Sequence, residues 1–365
     1  MRVAIDGRWW ADGPPSGRGF LKDVVRQWSV CSSIEDDLTV WSDSDGVKDL
    51  VGENLSPQLT SRAFVPSPVS HVDFALRMSL VSRNYDVVFS QNFATPSVSA
   101  ISAVFIHDAI FVSHPEWFTR MENVYLRVIP FLARFSGIVF TSSRCEAERI
   151  VAAWPFLSGR VEAVGLGVRG DLVAAQPSLL GSDVESIPEN FILCVGRLNI
   201  RKNLRAVLRA FVILSAVHPA LHLVVVGEPD GKTEAMIDVP AYALRRIQFR
   251  GFVSDSLLRT LYARASVFAF VSRDEGFGLP LVEAAAFGRA FIVSSDIPVF
   301  REVAVSDAYV GVDDTDGLVH AIDAGLSRDR EVDGDRSDSV LARFSYESVV
   351  ERLRARLMQE VARRS

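Results

Sequence analysis

Short apolar runs alternate with longer mixed segments along the chain. The runs at Met1–Ile5, Leu38–Trp41, Asp86–Ser90, Ala103–Ile106 and Gly137–Phe140 have the length of parallel strands buried on both faces. A helical pattern at Phe20–Trp28 follows the first run, and Asn123–Phe135 is long enough for a helix between strands. The rhythm breaks over Gly170–Asn190, where Pro177, Gly181 and Pro188 mark a linker. A second series follows, with strands predicted near Phe191–Val195, Leu221–Val226, Ile247–Arg250, Val267–Val271, Ala290–Val293 and Tyr309–Val312. Between the first two, Leu204, Val207, Leu208 and Phe211 share one helical face, with Asn203 placed as its N-cap. From Tyr346 to Arg364, Val349, Val350, Leu353, Leu357 and Val361 form an apolar stripe among interspersed arginines. That tail reads as a docked helix with a solvated face, not a membrane anchor.

Two alternating halves predict an α/β protein of two doubly wound, Rossmann-like domains. The boundaries fall at 1–172 and 173–345, with the terminal helix at 346–365. The length of 365 residues agrees with two cores. The charge balance, 39 basic against 45 acidic residues, leaves a net −6, so nothing global marks a nucleic-acid binder. Cys31, Cys145 and Cys194 are far apart, which excludes a disulfide framework or a CxxC zinc site and fits a reducing cytoplasm. Cys194, inside an apolar run, reads as a buried thiol. The N-terminus opens on a strand-like run and lacks a signal-peptide pattern.

Four segments carry candidate chemistry. In Val195–Asn203 a strand ends at Gly196, a helix starts near Asn203, and Arg197, Arg201 and Lys202 lie between. A helix N-terminus flanked by cations suits a diphosphate; a solvated basic loop is the plain alternative. In Glu275–Glu283, Gly276 and Gly278 allow close approach of a ligand to the backbone, Pro280 fits the first helical position, and Glu283 falls in the first turn. A carboxylate there can hold a diol, or merely favour the helix dipole. The loop Gly13–Phe20, with Gly17 and Gly19, has neither a Walker A lysine nor the dinucleotide fingerprint, so a turn is its default reading. His107–Asp108 ends a strand, where an imidazole can reach a sugar hydroxyl or a phosphate oxygen. No cluster has metal-ligand spacing. Asp43-Ser44-Asp45 spells a DxD, but in a polar loop without supporting context.

These residues resemble glycosyltransferase family 4, retaining enzymes of the GT-B fold, and within it a mannosyltransferase-like subgroup. Glu275 to Glu283 matches the family's E-x7-E motif, VGRLNIRKN its phosphate segment, and FIHDAIFVSHPEWFT its HD-containing region. The opening IDGRWWADGPPSGRGF resembles the family's first strand and glycine loop, although Arg18-Gly19 departs from the usual order. The resemblance implies two Rossmann-like domains facing a central cleft, with the terminal helix crossing back to the first. It implies Arg197 and Lys202 on the donor diphosphate, Glu283 on the ribose, Glu275 on the donor sugar, and the backbone of Gly276, Phe277, Gly278 and Leu279 beside sugar and phosphate. Phe252 and Val253 would touch the base. Gly17 and Gly19 would let the first domain close on the diphosphate, and His107 would sit near the transferred sugar.

The expected reaction is transfer of a hexose, GDP-mannose being the favoured donor, with retention and without a metal or other cofactor. Acceptors would be a glycan, a lipid-linked saccharide or a small glycoside. Nucleic acid is not an expected partner and a cytoplasmic location is. Asn123–Phe135 and the terminal helix, both hydrophobic and flanked by cations, offer peripheral membrane contact as an option, with core packing the better explanation of both. A hydrolysing epimerase of the same fold and a non-catalytic sugar-nucleotide binder are the rival readings.

Overall fold

A computed structural model describes residues 1–10, 13–30, 36–42, 59–63, 77–176, 186–229, 231–232, 239–287, 290–328 and 334–364. Cys31, the Asp43–Asp45 triplet and part of the expected linker lie outside the described residues. The chain divides into two compact units: Met1–Ser113, Arg120–Gly167 and Ser345–Ser365 form the first, His114–Thr119 and Val168–Phe344 the second.

The first unit is built on β1 (Arg2–Asp6), β2 (Asp37–Ser42), β3 (Leu59–Ala63), β4 (Val87–Gln91), β5 (Ile101–Ile106), β6 (Ile138–Thr141) and β7 (Val161–Ala163). All are parallel, in the order β3-β2-β1-β4-β5-β6-β7. The five predicted strands are the inner ones, completely buried over most of their length because helices cover both faces. The two that the pattern did not reveal, β3 and β7, are the edges. Leu59–Ala63 is polar in sequence and Val161–Ala163 is only three residues long, so neither shows a buried strand's signature.

The terminal helix, Tyr346–Arg364, belongs to this unit. Its predicted stripe is the buried face: Val349, Val350, Leu353 and Leu357 join the core with Phe20, Leu21, Val24 and Trp28 of the first helix, Pro15–Val30. Arg354 on the same helix reaches Asp36 at 2.8 Å, and Asp36 also accepts from Trp28 and the N-terminal ammonium. The expected helix over Asn123–Phe135 is two, Arg120–Leu126 and Val128–Ala133. Pro130 has no N–H to donate to the carbonyl of Leu126, which interrupts the ladder there.

The second unit carries β8 (Phe191–Val195), β9 (His222–Val226), β10 (Ile247–Phe249), β11 (Val267–Phe270), β12 (Phe291–Ser295) and β13 (Ala308–Val310), again all parallel, in the order β10-β9-β8-β11-β12-β13. All six match the predicted runs to within two residues. The helix Leu204–Val217 buries Val207, Leu208 and Phe211 on the face expected of it. Cys194 is buried, and burial pushes its thiol up to about 12, so it is an inert core group. Both sheets reverse winding direction beside their first strand, between β1 and β4 and between β8 and β11. An open parallel sheet offers its ligand crevice at such a point.

Candidate functional site

In the second unit the switch point carries the cations. β8 runs into Gly196, whose φ of +146° few side-chain-bearing residues adopt, and a Cβ there would stand 3.2 Å from the Lys202 side chain. One 3₁₀ turn, Ile200–Lys202, then leads to Asn203 at φ 53°. Asn203 precedes the helix as predicted, but its side chain does not cap it. Instead its amide donates to Val312 O at 3.0 Å and accepts from Arg273 at 3.1 Å, pinning the loop to those after β11 and β13.

This backbone turns Lys202 inward. Its ammonium lies 2.5 Å from Glu275 Oε1 and 4.5 Å from the centre of the Phe270 ring. Burial lowers the Lys202 pKa, and Arg201 and Arg197 lower it further against the pull of Glu275. For Glu275, burial acts to raise the pKa, yet Lys202 and Arg201 carry it below the ordinary value. Burial alone would move the two partners in opposite directions; the carboxylate moves down because cations prevail around it. Such a place favours a further anion.

The glycine loop follows β11. Gly278 has φ +93°, and a Cβ there would stand 2.7 Å from the Phe300 ring, so both conformation and space demand glycine. Gly276 and Phe277 are buried, while Leu279 is partly exposed. Leu279, not Pro280, is the first helical residue of Leu279–Phe287, which puts Glu283 just past the first turn. The simple dipole explanation of Glu283 is therefore weak. What holds it is side-chain bonding: Arg169 Nε donates to Oε1 at 2.8 Å and the Tyr262 hydroxyl to Oε2 at 2.9 Å. Arg169 also pairs with Asp255 at 2.9 Å. Glu275 thus pairs with Lys202, and Glu283 with Arg169 and Tyr262. Gly251 (φ +57°) bonds back to Gly227 and is followed by Phe252, 82 % exposed, and the partly exposed Val253.

In the first unit the glycine loop proves to be a helix start. The first helix opens at Pro15, a favoured first position, so Gly17 and Gly19 are helical rather than turn residues. Gly17 is needed for packing: a Cβ would meet the Trp9 ring at 2.4 Å. His107, after β5, is wrapped by Phe20, Phe105 and Trp9 and lies 2.7 Å from Gln91 Oε1. Burial pushes its pKa down to about 4, against the opposing pull of Asp108, so the ring is neutral at pH 7.

Sequence reasoning missed four positioning residues. Gln91 ends β4 as an ordinary strand residue. Glu146 looks like one more helical glutamate, yet it is buried and accepts from Ala109 N at 2.6 Å, fixing the turn after His107. Tyr262, inside the helix Asp255–Arg264, and Arg169, just before Gly170, stand in no motif of the sequence. Only tertiary contact distinguishes them.

Residues 183–332 match the family model of glycosyl transferases group 1. Over 255 residues the chain is 35 % identical to the O-antigen chain mannosyltransferase RfbU of Salmonella typhimurium, covering 68 % of this chain and 67 % of that one. It is 29 % identical over 257 residues to the GDP-mannose:cellobiosyl-diphosphopolyprenol alpha-mannosyltransferase of Komagataeibacter xylinus, 67 % of this chain and 62 % of the relative. With the serotype-specific mannosyltransferase WbdA of Escherichia coli it shares 26 % identity over 232 residues, 60 % of this chain but only 28 % of that much longer protein. Among solved structures, sucrose-phosphate synthase from Thermosynechococcus elongatus superposes with a TM-score of 0.71 at 16 % identity, covering all of both chains. Anabaena HepE in complex with UDP and glucose gives 0.65 at 17 %, over 98 % of this chain and 100 % of that one. These likenesses assign the two-sheet architecture to the GT-B fold.

Proposed function

This chain belongs to the glycosyl transferases group 1 family, and from that membership we propose that it transfers a hexose from a nucleoside-diphosphate sugar with retention at the anomeric carbon. The carrying observation is the buried Lys202–Glu275 pair, with Arg197 and Arg201 around it, at the switch point of the second sheet.

In this reading the donor diphosphate lies against Arg197 and Lys202. As the bond to the sugar breaks, negative charge grows on the leaving phosphate, and the buried Lys202 ammonium, with the exposed Arg197 near it, stabilises it more than it stabilises the ground state. The proposed reaction therefore needs no metal. The leaving phosphate takes the acceptor's proton on the face it leaves, which preserves configuration. Glu275 contacts the donor sugar and holds Lys202 in place, the backbone of Gly276–Leu279 lies beside sugar and phosphate, and Glu283 accepts from the ribose hydroxyls. Phe252 and Val253 meet the base. Neutral His107 can offer a hydrogen bond to a sugar without adding charge; the room at Gly17 is taken by the Trp9 ring, so any close approach of a phosphate to the first helix is left to Gly19. GDP-mannose is the proposed donor, because the relatives described above are named as mannosyltransferases and one is named for GDP-mannose.

Calorimetric titration with GDP, UDP and dTDP tests the donor site. One nucleotide should bind wild type, and Lys202→Ala should weaken it by about tenfold or more. Equal binding by that variant removes the phosphate assignment.

The acceptor is proposed to be a saccharide on a lipid carrier, reached from the cytoplasmic side by peripheral contact. The helices Arg120–Leu126 and Val128–Ala133 support this: Met121 (85 % exposed), Val124 (68 %), Phe131 (59 %) and Phe135 (51 %) face water among exposed Arg120, Arg127 and Arg134. An apolar face interleaved with arginines, on a chain of net charge −6, suits an anionic lipid surface. No helix among the described residues is long and apolar enough to cross a membrane. The protein should float with phosphatidylglycerol vesicles but not with phosphatidylcholine alone, and Phe131→Ser with Phe135→Ser should abolish flotation. Wild type that stays at the bottom of both gradients excludes the lipid surface.

A further inference from the structure

Glu283 has two carboxylate oxygens, and each accepts one hydrogen bond from the protein. Arg169 Nε reaches Oε1 at 2.8 Å and the Tyr262 hydroxyl reaches Oε2 at 2.9 Å. A carboxylate has about four acceptor positions, two per oxygen. Among the described residues one hydrogen bond falls on each oxygen and a second acceptor position remains on each, an arrangement that can serve two vicinal hydroxyls. Free rotation about the last side-chain bond would spoil it, and the two donors on opposite oxygens prevent that rotation.

Both donors are themselves held. Tyr262 is completely buried, its ring edge-on to Phe268 and stacked on Phe287. Arg169 is anchored at its other end by Asp255 Oδ1 at 2.9 Å. Asp255 opens the helix that carries Tyr262, Asp255–Arg264, and Ser254 caps that helix by accepting from Leu257 N at 3.2 Å. One short helix thus supplies one donor, Tyr262, directly and fixes the other, Arg169, through Asp255. Neither residue is needed merely to neutralise a stray charge: a single arginine would do that without a buried tyrosine hydroxyl aimed at the second oxygen.

We infer that Arg169 and Tyr262 are positioning residues that lock the Glu283 carboxylate in the orientation that receives the 2′- and 3′-hydroxyls of the donor's ribose. The inference rests on the donor-site reading above and extends it to two residues in neither glycine loop nor phosphate segment. It makes discrimination between ribose and 2′-deoxyribose a property of the Asp255–Arg264 helix.

The test is a cycle between protein and ligand. GDP with 2′-deoxy-GDP, and UDP with 2′-deoxy-UDP, are titrated into wild type, Tyr262→Phe, Arg169→Met and Arg169→Lys. Wild type should prefer the ribonucleotide by about tenfold, the usual worth of a hydrogen bond to a charged acceptor. Tyr262→Phe, which removes one oxygen atom and keeps the ring, should cut that preference to about threefold; Arg169→Met should bring it near one, and Arg169→Lys should restore part of it. Affinity for the deoxynucleotide should change little, which a general loss of structure would not give. Should neither GDP nor UDP bind wild type, the donor reading itself falls. Should a nucleotide bind with its ribose preference unchanged in Tyr262→Phe and Arg169→Met, the donor reading stands and the positioning role is overturned. Tighter ribonucleotide binding by Arg169→Met would likewise overturn it, making Arg169 a cover over Glu283.

Discussion

The two sheets share one winding pattern, yet their switch points carry opposite kinds of surface. In the first unit the strand ends are aromatic and internally neutralised. Asp6 pairs with Arg8 at 2.5 Å, and neutral His107 lies among Trp9, Phe20 and Phe105. In the second unit the same topological position holds a buried Lys202–Glu275 pair: burial, with Arg201 and Arg197, lowers the lysine's pKa, and Lys202 with Arg201 lowers the carboxylate's. Topology supplies the crevice, and side chains decide what it can hold. A surface of rings and a neutral imidazole suits an uncharged sugar; one dominated by fixed cations suits phosphate.

The largest test of that contrast is kinetic. Lys202→Ala should lower kcat by about 10³-fold, the scale of losing one preorganised donor to a developing charge. His107→Asn should cost no more than about 10²-fold, since it removes a neutral hydrogen bond. Steady-state rates with a fixed acceptor compare the two, and equal losses would erase the distinction between the crevices.

A smaller effect separates the units by stability. Leu353 of the terminal helix is completely buried in the first unit's core. Leu353→Ala should destabilise that unit by about 3 kcal/mol, from lost burial plus the cavity left behind. Nucleotide affinity, which the proposed donor site assigns to the second unit, should stay within about twofold of wild type in protein that remains folded. A parallel loss of nucleotide binding would show that the units do not act separately.

The smallest effect is a pH dependence. His107 is depressed to about 4 in the folded protein, while an unfolded histidine titrates near 6.5. Between those values the unfolded chain binds more protons, so the neutral ring's contribution is complete above about 6.5 and is lost as pH falls toward 4. Thermal melts should show wild type losing more Tm than His107→Asn across that window. Identical slopes would mean that the ring is not held neutral.

Much of this was legible beforehand, and the exceptions share a cause. Inner strands declare themselves because both faces are covered and every position must be apolar; the edge strands Leu59–Ala63 and Val161–Ala163 are under no such demand. Arg197, Lys202, Glu275 and Glu283 could be singled out as candidates because they lie in the two segments that leave β8 and β11 and run into helices. Gly17 and Gly19 were misread as a turn. Glycine followed by a helix looks the same from sequence whether its missing side chain makes room for a ligand or, as at Gly17, for the ring of Trp9.

The chain's own pattern determined the two doubly wound units, the buried stripe of the terminal helix and the positions of the candidate phosphate and glycine segments. These depend on periodicity and on residues adjacent in sequence. Only the tertiary structure decided which charges meet. Lys202 and Glu275 are 73 residues apart, and Arg169 and Glu283 are 114 apart. A hydrogen bond depends on distances of about 3 Å in space, which sequence separation does not encode.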